Sequence, residues 1–118
     1  MILRVGWNCR SVYEFGQHTT IGLDSGLTEA EITALTRDPA DGGWSDRDRA
    51  LIALADDLCA DDCVSDATWA ALRPDWDDRQ LVELIVTARL LPDGVGLPEQ
   101  RRGQLDDGVP GWPALAAA

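Results

Sequence analysis

The densest group of chemically capable side chains runs from Trp7 to His18, as Trp7-Asn8-Cys9-Arg10-Ser11-Val12-Tyr13-Glu14-Phe15-Gly16-Gln17-His18. It holds the only His, the only Tyr, the only Phe and one of three Cys in the chain. Glu14 and His18 are four residues apart, which places them on one face of a helix. A carboxylate beside an imidazole orients the ring and stabilises its cation. Imidazole titrates near pH ~6.5, so such a pair suits general acid/base catalysis. Tyr13 falls on a neighbouring stripe, and Cys9 precedes the helix. Either can contact a substrate held by the pair. Each residue also has a purely structural reading. Ser11-x-x-Glu14 matches a capping box, in which Glu14 satisfies a helix-start amide. A Glu-His pair at this spacing can be a surface ion pair worth roughly 0.3–0.5 kcal/mol. A Cys next to Trp7 can be a small packed apolar residue.

The elements that must position these groups are helical throughout. Ile2, Leu3, Val5 and Trp7 leave almost no polar face after Arg4, so residues 1–9 read as the end of a buried helix. That pattern suits a chain starting inside a helix, N-terminally truncated, with apolar surface left uncovered. A second helix is expected from Ser11 to about Leu23, with Val12, Phe15, Thr19 and Gly22 on one stripe and Glu14, His18 and Ile21 beside it. Gly26 is its stop. Thr28-x-x-Glu31 opens a third, short helix with Ile32 and Leu35 inward. The stretch Arg37–Gly43 reads as a loop, because Pro39, Gly42 and Gly43 break any period.

Ser45 caps a fourth helix to about Cys63, whose Leu51, Leu54, Ala55 and Leu58 make an apolar stripe. Its Asp56, Asp57, Asp61 and Asp62 read as a solvated acidic face without the loop pattern of a calcium site. Cys59 and Cys63, four apart, could supply two metal ligands. With no second ligand pair, they read as packed thiols. Ser65 caps a fifth helix with Trp69 and Leu72 inward. Asp77-x-x-Gln80 caps a sixth with Leu81, Leu84, Ile85 and Ala88 as its core stripe. Arg47, Arg49 and Arg79 either bind an anionic substrate or balance the nearby Asp residues, and the second role fits the charge better. Positions 89–103, with two Pro, three Gly and three Arg, break the helical pattern. They are compatible with coding in which another reading frame gives an apolar, helix-like string, which the nucleotide sequence would test. The tail at 104–113 is turn-rich, and its Trp112 is either an anchor on the bundle or a subunit contact.

Composition narrows the function classes. A chain of 118 residues with an apolar fraction of 45% makes one small globular domain. A net charge of −11 disfavours nucleic acid and anionic membrane surfaces as partners. No apolar window is long enough to span a bilayer, and no signal peptide is visible. Three Cys residues without a disulfide framework suit a reducing cytoplasm. No cofactor motif is present.

The Trp-Asn-Cys-Arg-Ser-x-Tyr-Glu-Phe-Gly-Gln-His segment resembles the signature of the carboxymuconolactone decarboxylase-like family, whose fold is that of the alkylhydroperoxidase AhpD. The similarity continues through Gly26-Leu27-Thr28-x-x-Glu31-Ile32, Gly43-Trp44-Ser45, Ser65-Asp66-Ala67-Thr68-Trp69, Asp78-Arg79-Gln80-Leu81 and Gln104 to Gly111. It covers nearly the whole chain apart from 89–103, where the family has an apolar helix. The resemblance implies an all-α, AhpD-like bundle of about six helices over 1–118 that assembles into homo-oligomers, trimers or hexamers. Redox members of the family carry Cys-x-x-Cys-x-x-x-His with the first Cys at a helix start, where a thiol becomes reactive. Those two Cys positions correspond to Ser11 and Glu14 here. The chain is thus closer to members that keep Tyr-Glu-aromatic-x-x-His. It is expected to be a small-molecule acid/base enzyme of decarboxylase type, with His18 as acid/base, Glu14 orienting it and Tyr13 or Cys9 touching the substrate. Hydroperoxide reduction of the peroxiredoxin type, or a non-catalytic oligomerising bundle, are the alternatives.

Overall fold

A computed structural model describes residues 1–90 and 108–113. Positions 91–103 of the irregular stretch, and Gln104 to Asp107 of the tail, lie outside the described residues. The described residues form six α-helices, one short 3-10 turn and no strand: an all-α bundle. The helices are α1 (Ile2–Asn8), α2 (Val12–Asp24), α3 (Glu29–Ala34), α4 (Asp46–Asp61), α5 (Asp66–Leu72) and α6 (Asp78–Leu90).

The helix starts follow from their caps. Ser11, Thr28, Ser45 and Ser65 each accept a hydrogen bond from the backbone N–H three residues on, and so does the Asp77 carboxylate from Gln80. Each cap satisfies an amide that the helix itself leaves open, worth about 1 kcal/mol. Thr28 and Asp77 complete the box, because Glu31 and Gln80 accept from the cap residue's own N–H. The stops are conformational. Gly26 ends α2 at φ 104°, where a side chain would be strained, and Asp62 ends α4 in the left-handed region at φ 58°. The fourth helix therefore stops before Cys63, which leaves the helix instead of sharing a stripe with Cys59.

Two apolar clusters make the core, and α1 and α4 contribute to both. Val5 packs with Leu54, Leu58, Leu72, Leu81 and Ala88, joining α1 to α4, α5 and α6. Leu3 packs with Phe15, Ile32, Leu35 and Ile52, joining α1 to α2, α3 and α4. The inward residues expected on α3 and α6 are buried or half-buried, whereas Val82 and Val86 of α6 are exposed. Trp112 docks on the second cluster, edge-on to Trp7 at 5.3 Å and tilted on Phe15 at 5.1 Å, so it is an anchor on the bundle.

Helices α1 and α2 approach closely at Gly6, where a Cβ would come within 3.2 Å of the Phe15 backbone nitrogen. The turn between them passes through Arg10 at φ 56°, and the Arg10 guanidinium lies 4.4 Å above the Trp7 ring. Arg4 ties α1 to the rest. Its Nε and Nη2 donate to the two Asp56 oxygens at 2.7 and 3.1 Å, and Nη1 donates to the Leu35 and Arg37 carbonyls at 2.8 and 2.7 Å. A buried guanidinium is tolerated only when its donors are met in this way.

Asp56 and Asp57 depart from the solvated acidic face expected of α4. Asp56 is the partner of Arg4 and also accepts from Asn8 Nδ2 at 2.7 Å. Asp57 accepts from the Ser65 backbone N–H at 2.9 Å, fixing the start of α5 against α4. Partial desolvation acts to raise the Asp57 pKa. The bonds from the Ser65 amide and the Thr68 and Ser65 hydroxyls outweigh it and hold the carboxyl below its ordinary range.

Candidate active site

Helix α2 places the Glu14–His18 pair. The capping box expected at its start is only half made. Glu14 N–H donates to Ser11 Oγ at 3.3 Å, but the Ser11 N–H already donates to the Gly6 carbonyl at 2.9 Å. The amide that a box would offer the Glu14 carboxylate is occupied, and the carboxylate faces His18 instead, with Oε2 3.6 Å from Nδ1. The same Nδ1 lies 3.0 Å from the Glu14 carbonyl oxygen. A carbonyl can only accept, so Nδ1 carries the hydrogen and Nε2 is the basic nitrogen of the neutral ring. Both side chains are largely enclosed, at 22% exposure for His18 and 15% for Glu14. This is not the freely solvated surface pair of the structural reading.

His18 lines a cavity of about 420 Å³. Its walls are chiefly apolar, from Ile2, Leu3, Leu27, Trp44, Leu51, Ile52 and Leu84, with Glu31 and Asp48 as the carboxylates. A volume in this range admits a small organic molecule. Gly22, one turn beyond His18, also lines it, and a Cβ there would come within 3.0 Å of Leu27. The Trp44 indole nitrogen is buried beside Gly42 without an acceptor among the described residues.

The structure brings only part of the expected constellation together. Glu14 reaches His18 but does not line the cavity, and neither do Tyr13 and Cys9. Tyr13 is half-buried on α2. Cys9 closes the C-terminal end of α1, and its Sγ lies 3.5 Å from Cys59 Sγ on α4. The spacing of the Cys residues points to Cys59 with Cys63, but the fold places Cys59 beside Cys9 instead. No sequence signal marks this pair, because Arg4 and Asp56, which bring the two helices together, are 52 positions apart. Asn8 and Asp56, which flank the two thiols in sequence, bond to each other. The Cys59 residue is exposed, yet its sulfur is pressed against this cluster. Desolvation first, then the hydrogen bond and charge of Cys9 and the charge of Asp56, push its pKa up to about 11, against a smaller opposing effect of Asn8.

Among the candidate anion-binding residues, Arg47 stacks over Trp76 at 4.7 Å and Arg79 pairs with Glu83 at 3.4 Å. Neither they nor Arg49 line the His18 cavity. Among the described residues, no group of three or more His, Cys, Asp or Glu side chains is placed to hold a metal ion, and no helix is long and apolar enough to cross a membrane. No family model, curated protein or solved structure matches the chain.

Proposed function

We propose that the chain is a small-molecule acid/base enzyme of the carboxymuconolactone decarboxylase-like type, with His18 as the proton-transferring group. The observation that carries this reading is the placement of a His at the wall of an apolar cavity with Nδ1 committed to Glu14. That geometry leaves Nε2 to exchange a proton with a bound molecule, while the Glu14 carboxylate stabilises the imidazolium. In a decarboxylation the carbon–carboxylate bond breaks, carbon dioxide leaves, and the electron pair stays on carbon. Protonated His18 then delivers its proton to that carbon and is recharged from water. The apolar walls and the Glu31 and Asp48 carboxylates disfavour a substrate carboxylate, and this penalty is relieved when carbon dioxide leaves and the carbon is protonated. Glu14 is a positioning residue in this scheme. Tyr13 and Cys9, outside the cavity wall, are not needed for it.

Self-association accompanies the proposal. Val82, Val86 and Leu90 recur every fourth residue on α6 at 58%, 49% and 52% exposure, an apolar stripe suited to a second copy in a trimer or hexamer. Light scattering on the purified chain tests it, and a monomer at micromolar concentration would refute it.

The catalytic test is carbon dioxide release from a panel of carboxylated lactones, with wild type and His18→Gln compared. Turnover that falls by about 10²-fold or more in His18→Gln is expected. Equal rates in the two proteins, or no release by folded wild type, would overturn the reading. Hydroperoxide reduction with a dithiol donor, measured on the same samples, is expected to be absent, because Ser11 and Glu14 stand where the redox members carry their helix-start thiols.

A further inference from the structure

Outside the His18 cavity, the edge shared by α1 and α4 holds a second set of reactive groups. Cys9 and Cys59 are both solvent-exposed, free thiols whose sulfurs are 3.5 Å apart. A disulfide needs about 2.05 Å between sulfurs, so closing the pair requires a shift of about 1.5 Å, within reach of side-chain rotation. The backbone on each side is held in place. Arg4 and Asn8 of α1 both donate to Asp56 Oδ1 at 2.7 Å, and Asp56 lies one helical turn before Cys59. This clamp sets the register of the two helices at the point where the sulfurs meet.

We infer that Cys9 and Cys59 form a redox-active dithiol that closes to an intramolecular disulfide by exchange with low-molecular-weight disulfides. The site does not depend on His18 chemistry. Cys59, with its raised pKa, is the poorer attacking group at neutral pH, so Cys9 reacts first. The Cys9 thiolate attacks one sulfur of the small disulfide, that sulfur–sulfur bond breaks, and one small thiol leaves with a proton. Cys59 then gives up its proton to water, and its sulfur attacks the Cys9 sulfur of the mixed disulfide. The second small thiol is expelled. In sum, the protein loses two hydrogens and two electrons, and the small disulfide is reduced to two thiols. Asn8 bonds to Asp56 beside the pair, and its effect on Cys59 is to lower the thiol pKa, which favours the second attack.

The test uses the reduced full chain, treated with oxidised glutathione, quenched by alkylation and weighed intact. Wild type and Cys63→Ser are expected to lose the mass of two hydrogens without a retained glutathione, and a non-reducing digest to yield one peptide pair joined through Cys9 and Cys59. Cys59→Ser is expected to keep glutathione on Cys9. Asn8→Ala, which keeps both thiols but loosens the clamp, is expected to slow closure about tenfold, so that the glutathione adduct becomes visible in time courses. Wild type that accumulates adduct without a cross-link, or a cross-link through Cys63, would overturn the inference. Substrate turnover does not enter these measurements, so they stand or fall apart from the His18 reading.

Discussion

Glu14 and His18 meet within a single turn of α2, whereas Cys9 and Cys59 meet across 50 positions of sequence. The first pair is made by helical periodicity, and tertiary structure supplies only the cavity around it. The second is made entirely by tertiary structure. Nothing in the spacing of the Cys residues points to it, and the shorter interval from Cys59 to Cys63 points elsewhere. The contrast shows that a local motif can be read before the fold is known, but the chemistry it performs depends on what the fold places opposite. Arg4 sits at the hinge of this comparison. It supports the thiol edge through Asp56, and its carbonyl contacts at Leu35 and Arg37 brace the wall of the cavity at Leu35.

Removing Arg4 should therefore break both regions at once. Arg4→Ala leaves the Asp56 carboxylate with Asn8 as its remaining side-chain donor and two carbonyls without the guanidinium, and a loss of about 3 kcal/mol is expected in urea unfolding. A loss below about 1 kcal/mol would mean that α1 is held by apolar contacts alone. Oxidising Cys9 to Cys59 should affect one region only. Closing a loop of this length is expected to add about 4 kcal/mol by restricting the unfolded chain, read as a higher urea midpoint in the oxidised protein. An unchanged midpoint would place strain in the bonded form.

Asp57 sharpens the comparison on the α4 side. Its carboxyl is held below the ordinary range when folded, so its contribution is fully present above the unfolded value near pH ~4 and is lost as pH falls through the lower folded value. Asp57→Asn is expected to cost about 1 kcal/mol at neutral pH. The difference from wild type should shrink in acid, and a pH-independent difference would assign the effect to packing. On the cavity side, Trp44→Phe should change stability by less than about 1 kcal/mol, because the indole N–H it removes has no acceptor among the described residues. A larger loss in thermal unfolding would reveal an acceptor.

Much of the scaffold was readable from residue types. Ser11, Thr28, Ser45, Ser65 and Asp77 announce helix starts by chemistry that acts over three residues, and Gly26 announces a stop by conformation. The inward faces of α3 and α6 follow from periodicity. The reading failed where a residue's partner is distant. Asp56 and Asp57 look like solvated acids until Arg4, Asn8 and Ser65 are brought to them. Glu14 looks like a cap until the Gly6 carbonyl takes the amide it would have served.

The reach of the Arg4 contacts also bears on the order in which the molecule assembles. Arg4 meets partners 31 to 52 positions away, while α4, with sixteen residues, is long enough to form early from local contacts. The Arg4 guanidinium must wait for α4 and the end of α3 to be in position before it can dock. Contacts of this kind form on the native side of the folding barrier, so their loss accelerates unfolding far more than it slows folding. A bond between Cys9 and Cys59 would act on that last-formed joint and slow its release.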